Sequence, residues 1–185
     1  MQIAVIGAGS LGTLLGGILA HDGNDVQLIH HREEYVRKLD RNGVRVEGDA
    51  VRDAPFVVDV PATTDAGEVS HVDLGIVVVR SHQTREALME HEACLGPDTR
   101  LLTLQNGLTN LDTLREVVTP RRAFGGITFV GAEREAPGVV RNTNMGPTTV
   151  GGPDRRFADR IGETFRSAGL GDVTVVEDPI PYIWD

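Results

Sequence analysis

The sequence predicts an α/β fold, a doubly wound and mostly parallel sheet with an antiparallel extension. Three observations lead there. The chain opens on a short apolar run, Gln2-Ile-Ala-Val-Ile6, which passes through a glycine-rich turn into Leu11, Leu14, Leu15, Ile18 and Leu19 at helical spacing. The run Gly75-Ile-Val-Val-Val79 lacks polar alternation, as a strand covered on both faces must. Beyond residue 121, strand-like segments are joined by stretches too short for crossover helices, so neighbours there must run antiparallel. A chain of 185 residues suffices for one domain that buries its own core.

The elements follow in order. After Gly23 a second strand is expected over residues 26–29 or 26–30, then a short helix over 33–39 that ends near Asn42-Gly43. Residues 44–46 alternate like a strand or hairpin arm, and 55–60 supply another extended piece. Residues 73–79 form a central strand, 83–93 a helix with Ala87 and Leu88 inward, and 100–104 the next strand. Asn110 is expected to cap a helix through Leu111, Leu114, Val117 and Val118, which Pro120 stops. Residues 123–130, 138–141 and 148–151 read as strands. Residues 154–168, framed by Pro153 and Gly169, place Phe157, Ile161 and Phe165 on one helical face ahead of a strand over 172–176. Residues 1–176 are thus expected to form a dinucleotide-binding domain. Residues 177–185 read as the start of a linker or helix toward a further domain, which would cover Trp184.

Composition removes several classes of function. The net charge is -9, and of 18 basic residues only Lys38 is a lysine. An arginine-bearing but acidic surface of this kind resembles that of proteins adapted to salt, and its general negative field argues against a nucleic-acid partner. Cys94 stands alone, so an intramolecular disulfide is impossible and a reducing compartment is expected, with Cys94 as a small buried residue. No signal-peptide pattern or membrane-length apolar stretch is present, so a soluble, cytoplasmic protein is expected. His82 and His91 lack the i,i+4 spacing of a metal pair, and His30 and His31 would point to opposite faces of a continuing strand. Ser10 and Ser81 lack the ordered His/Asp arrangement that nucleophilic catalysis needs.

The chemistry centres on Gly7-Ala-Gly-Ser-Leu-Gly12. Gly7 permits the tight turn after the strand, Gly9 removes a side chain from the path of a pyrophosphate, and Gly12 lets the helix approach the sheet. Amides at the start of that helix, with its dipole behind them, suit a diphosphate. Gly7, Ala8, Gly9, Ser10, Leu11 and Gly12 are therefore candidate cofactor contacts in a Rossmann-type fold. An NAD site would place a carboxylate at the end of the second strand, but this chain reads Leu28-Ile-His-His-Arg32. His31 and Arg32 would attract a ribose 2′-phosphate, so NADPH is the expected cofactor.

Arg80-Ser-His-Gln83 and Leu104-Gln-Asn-Gly107 each lie just past a strand's carboxyl end. With Gly125-Gly-Ile-Thr128, Pro137-Gly-Val-Val-Arg141 and Val150-Gly-Gly152, they make almost the whole chain resemble the ketopantoate reductase family. The resemblance implies NADPH-dependent reduction of 2-dehydropantoate to pantoate, in the route to pantothenate and coenzyme A. It implies a helical C-terminal domain, in cis or from another chain, that closes over a small 2-oxo-acid substrate. Asn106 matches the family's asparagine beside nicotinamide and substrate, Gln83 a position near the cofactor, and Gly107 shapes the turn. Arg80 stands where the family has lysine, and His31 followed by Arg32 where it has an arginine. The family's acid is a lysine just after a tryptophan matched by Trp184, and Lys38 lies too early to replace it. Two other readings stay open: a catalytically inactive nucleotide-binding regulatory or assembly module, and a related 2-oxo-acid or 2-hydroxy-acid dehydrogenase.

Overall fold

The computed structural model describes residues 1–183, so the expectation for Trp184 falls outside the described residues. β1 (Gln2–Ile6) leads into α1 (Ser10–His21), β2 (Asp25–Ile29) and α2 (Glu33–Asn42). A hairpin of β3 (Val44–Glu47) and β4 (Phe56–Val58) follows, then the very short β5 (Ala62–Thr63). Next come β6 (Leu74–Val77), α3 (Thr84–Glu90), β7 (Arg100–Thr103) and α4 (Leu108–Val117). The described chain closes with β8 (Ala123–Ala136), β9 (Val139–Gly151), α5 (Arg155–Ser167) and β10 (Val173–Val176).

One sheet carries all of these strands in the order β4-β3-β9-β8-β7-β6-β1-β2-β5, and β10 also pairs with β9. From β5 to β8 every pairing is parallel, while β8 and β9 run antiparallel. This is the doubly wound sheet with an antiparallel extension that the apolar runs predict. Its strands alternate between two cores. Ile3, Val5, Leu74, Ile76 and Leu102 face α1 and α5, whereas Ala4, Ile6, Val77 and Leu101 face α3 and α4. Burying each such Ile or Leu side chain contributes about 1.5–3 kcal/mol, so a sheet covered on both faces is stabilised twice along each strand. Among the described residues, no helix is long and apolar enough to cross a membrane.

Several local expectations need correction. The segments at 138–141 and 148–151 are one continuous strand, β9, because Asn142 and Asn144 join the sheet instead of turning away from it. Asn142 Nδ2 donates to the Gly131 carbonyl at 2.9 Å and Asn144 Nδ2 to the Phe129 carbonyl at 2.7 Å. The helix expected over 83–93 is α3 alone, flanked by single 3-10 turns at Ser81–Gln83 and Glu92–Cys94. α2, by contrast, ends at Asn42 with Gly43 as its C-cap, where the sequence places its end. Asn110 does not cap α4: Gly107, with φ +95°, precedes the helix, and Asn110 lies buried within its first turn. His30 and His31 do not diverge, because β2 ends at Ile29 and their rings stack with centroids 4.6 Å apart. Cys94 is buried, its thiol donates to the His91 carbonyl, and burial pushes its pKa up.

Candidate functional site

Chain order reverses at β1, whose neighbours β2 and β6 lie on opposite sides. Ile6 is level with Ile29 on β2 and Val77 on β6, and Val77 with Thr103 on β7. The turns after these strands therefore open along one edge, where a doubly wound sheet holds its ligands.

The glycine loop divides its labour. Gly7 sits at φ +100°, and a Cβ there would press on the Val79 backbone nitrogen at 2.8 Å. The amides of Gly7 and Ala8 both donate to the Ile29 carbonyl, at 3.1 and 3.0 Å, so they tie the loop to β2. The Thr13 amide closes onto the Gly9 carbonyl at 3.0 Å. The amides of Ser10, Leu11 and Gly12, the first three of α1, have no backbone acceptor and form its anion-accepting end. Gly9 guards that end. A Cβ on it would meet nothing nearer than the Gly7 oxygen at 4.0 Å, whereas one on Gly12 would strike that same carbonyl.

Beside the loop lies a cleft of about 490 Å³ lined by Leu11, Arg80, Ser81, Asn106, Thr128 and Val130 among others. Of the residues singled out from sequence, Leu11, Arg80 and Asn106 thus meet at one opening. Gln83, Gly107, His31 and Arg32 are not part of its lining. Gln83 is exposed on the 3-10 turn, with its amide bonded to the Arg80 carbonyl.

Beneath the opening is a buried polar network with no local signature in the sequence. Gln105 Nε2 donates to the Val79 carbonyl at 2.5 Å and to Thr84 Oγ1 at 3.0 Å, while Thr103 Oγ1 donates to Gln105 Oε1 at 2.9 Å. Thr84 Oγ1 donates to Asn110 Oδ1, and Asn110 Nδ2 reaches the Asn106 carbonyl at 2.7 Å and Ser81 Oγ at 3.1 Å. Asn110 therefore ties the turn after β6 to the turn after β7 and fixes the backbone beneath the exposed Asn106 side chain. Asn106→Ala is expected to leave the melting temperature near the parent value. Asn110→Ala should cost about 1–3 kcal/mol by stranding buried partners, a drop of roughly 2–12 °C at this chain size. Thermal melts of both variants check this contrast, and equal melting temperatures would deny Asn110 its positioning role.

At the end of β2 the two histidines differ. His30 is buried and its Nδ1 accepts the Arg32 amide at 3.0 Å. Burial, with His31, Arg134 and Arg32 nearby, lowers its pKa to about 4. The stability that neutral His30 contributes is full above pH 6.5 and is lost as pH falls toward 4. His31 and Arg32 are exposed, and Arg32 Nε donates to His31 Nε2 at 3.3 Å. The nearest acids in sequence are engaged elsewhere, Glu33 with Arg37 and Glu34 with Lys38.

Comparison with known proteins agrees with this geometry. The model of the ketopantoate reductase PanE/ApbA family matches residues 3–155. Over its full length the chain is 35% identical to the 2-dehydropantoate 2-reductases of Pyrococcus abyssi and Halobacterium salinarum, covering 59% and 61% of those proteins. Among solved structures, a PanE/ApbA family ketopantoate reductase from Ralstonia eutropha JMP134 superposes with a TM-score of 0.85 at 30% identity, over 96% of this chain and 57% of that one. The chain spans about three fifths of the length of these relatives. Matched by the family model over residues 3–155, most of its length, the chain belongs to the ketopantoate reductase family of oxidoreductases.

Proposed function

We propose that this chain is the NADPH-binding half of a 2-dehydropantoate 2-reductase, which reduces 2-dehydropantoate to pantoate in the route to pantothenate and coenzyme A. The observation that carries the proposal is that the acceptor-free amide end of α1 lies at the reversal point of the sheet, and that its Leu11 lines one cleft with Arg80 and Asn106. The identity to proteins named as 2-dehydropantoate 2-reductases supports the choice of substrate.

The residues present fit the cofactor. Gly9 leaves the approach to the Ser10, Leu11 and Gly12 amides open, and these would hold the diphosphate. His31 and Arg32, at the end of β2, would face the adenosine ribose and its 2′-phosphate. NADPH supplies the hydride when bound. The Asn106 carboxamide, on a backbone that Asn110 holds through the Asn106 carbonyl, would orient the nicotinamide or the substrate carbonyl. Arg80 places positive charge beside an anionic 2-oxo acid. Thr128 and Val130 of β8 wall the cleft and limit the ring's freedom, and such orientation is the part of the rate a binding platform can supply. A helical domain, in cis or from another chain, would complete the substrate side.

Calorimetric titration tests the cofactor assignment. NADPH is expected to bind at least tenfold more tightly than NADH, and Arg32→Ala to narrow that difference, since a charge-assisted contact is worth roughly 1.5–3 kcal/mol. Equal affinities in the parent protein would remove the 2′-phosphate assignment.

A further inference from the structure

The chain contains two Arg-Arg pairs, Arg121-Arg122 and Arg155-Arg156, and the fold brings both to one cleft of about 590 Å³. Arg100 lines it as well, at the start of β7, whose other end, Thr103, is level with Val77 at the edge of the glycine loop. The cleft therefore lies at the opposite edge of the sheet from the proposed dinucleotide site. Arg122 immediately precedes Ala123, which is level with Leu101, so Arg100 and Arg122 enter the sheet side by side. Arg155 and Arg156 form the first turn of α5, whose Phe157 ring centroid lies 4.8 Å from the Arg100 guanidinium carbon. Three segments distant in sequence thus put five of the 17 arginines around one opening.

The carboxylates there are too few to answer these charges. Asp98 and Asp154 line the same cleft. Asp154 is engaged by the fold, because its Oδ1 accepts the Phe157 amide at 3.2 Å and caps α5, and its other oxygen stays 3.8 Å from Arg100 Nη2. Arg155 pairs with Asp159 outside the lining. Arg122 Nε donates to the Thr99 carbonyl at 2.7 Å and Nη2 to the Gly96 carbonyl at 2.5 Å, neutral acceptors that fix its plane without cancelling its charge. Burial, and after it the neighbouring Arg100 charge, lower the Arg122 pKa, while Asp98 opposes them.

The start of α5 is the plainest anomaly. The amino end of a helix is its positive pole and favours acidic side chains. α2 begins accordingly with Glu33 and Glu34, whereas the first turn of α5 holds two arginines and no acid. A single unpaired arginine on a surface is ordinary. Two at the unfavourable pole of a helix, sharing a cleft with three more in a chain of net charge -9, destabilise the empty fold, and a bound anion would relieve that repulsion. The only apolar members of the lining are Pro97 and Pro153, so the cleft offers charge and planar forks, not a slot for a ring. Guanidinium forks pair with two phosphate oxygens at a time, and the volume is that of a small-molecule site.

We infer that this cleft binds a chain of two or more phosphates, free or carried on a nucleotide, through Arg100, Arg121, Arg122 and Arg156. The inference does not depend on the dinucleotide reading above.

The test is calorimetric titration with inorganic pyrophosphate, tripolyphosphate, ATP and sulfate. It is repeated with NADPH saturating and in Gly9→Val, where the α1 amides are obstructed. The expected result is a pyrophosphate site that persists under both conditions, with tripolyphosphate at least as tight and sulfate at least tenfold weaker. ATP matching tripolyphosphate would assign the tail of a nucleotide, and ATP binding far more weakly would assign the free phosphate chain. Arg121→Ser combined with Arg156→Ser should weaken pyrophosphate about a hundredfold, on the scale of two charge-assisted contacts. Arg156→Glu should abolish its binding and yet melt no lower than the parent without ligand, because glutamate suits that end of the helix. NADPH affinity should stay within twofold in both variants. A parent that binds no pyrophosphate, binding that survives Arg156→Glu, or equal affinities for pyrophosphate and sulfate would each overturn the inference. So would a lowered melting temperature in both variants, which would make these arginines props of the fold.

Discussion

Replacing Gly9 with valine is expected to abolish measurable NADPH binding while leaving the melting temperature within a few degrees of the parent. The backbone at Gly9, φ -75° and ψ -151°, is extended and open to any residue. A Cβ there meets no atom of the protein closer than 4.0 Å. What it would fill is the approach to the Ser10, Leu11 and Gly12 amides. Losing two or more charge-assisted hydrogen bonds, each worth roughly 1.5–3 kcal/mol, weakens binding about a hundredfold or more. Gly12→Ala should behave in the opposite way, lowering thermal stability with or without cofactor, because its Cβ collides with the Gly7 carbonyl. Calorimetry and thermal melts on the two variants separate these roles. Unchanged NADPH affinity in Gly9→Val would move the diphosphate away from the loop.

That separation shows how far the sequence can be read. The spacing of Gly7, Gly9 and Gly12 after an apolar strand announces the loop, but only the structure shows that the Gly7 and Ala8 amides are spent on Ile29. β1, α1, β2 and the central strands are legible because their periodicity and their burial come from the same residues. β9 is misread at residues 142–147 because Asn, Gly and Pro are locally turn-forming, and only pairing with β8 keeps them extended. Asn110 is misread for a related reason. A polar residue near a helix start is ordinarily a cap, yet here positive φ at Gly107 begins the helix and leaves the amide to bridge two turns. Gln105 sits inside the recognisable Gln-Asn-Gly run, but its role depends on Thr84 and Val79, which are adjacent only in the fold.

A chain of residues 1–185 alone is expected to bind NADPH yet turn over 2-dehydropantoate at less than about a thousandth of the rate of a form carrying a helical domain as well. Binding needs the α1 amides, the end of β2 and the cleft, and all of these lie within the described residues. Reduction needs more, because the ketone oxygen gains charge as the hydride arrives and must receive a proton. Around the cleft the candidates are few. Asn106 and Arg80 can each donate a hydrogen bond to the oxygen, but neither a carboxamide nor a guanidinium serves as a general acid. The sole lysine, Lys38, is on α2 and paired with Glu34 at 2.8 Å. A missing general acid costs roughly 10²–10⁴ in rate, and a cleft of openly solvated walls also forfeits the gain from excluding water around the developing alkoxide. Following NADPH absorbance after 2-dehydropantoate is added to both forms, at low and high salt, gives the comparison. Cofactor titration of the shorter form should still show binding, so its inactivity could not be laid to an unformed site. Full activity from a mass-verified chain of 185 residues would place the acid among the residues described here, or on a second copy of them.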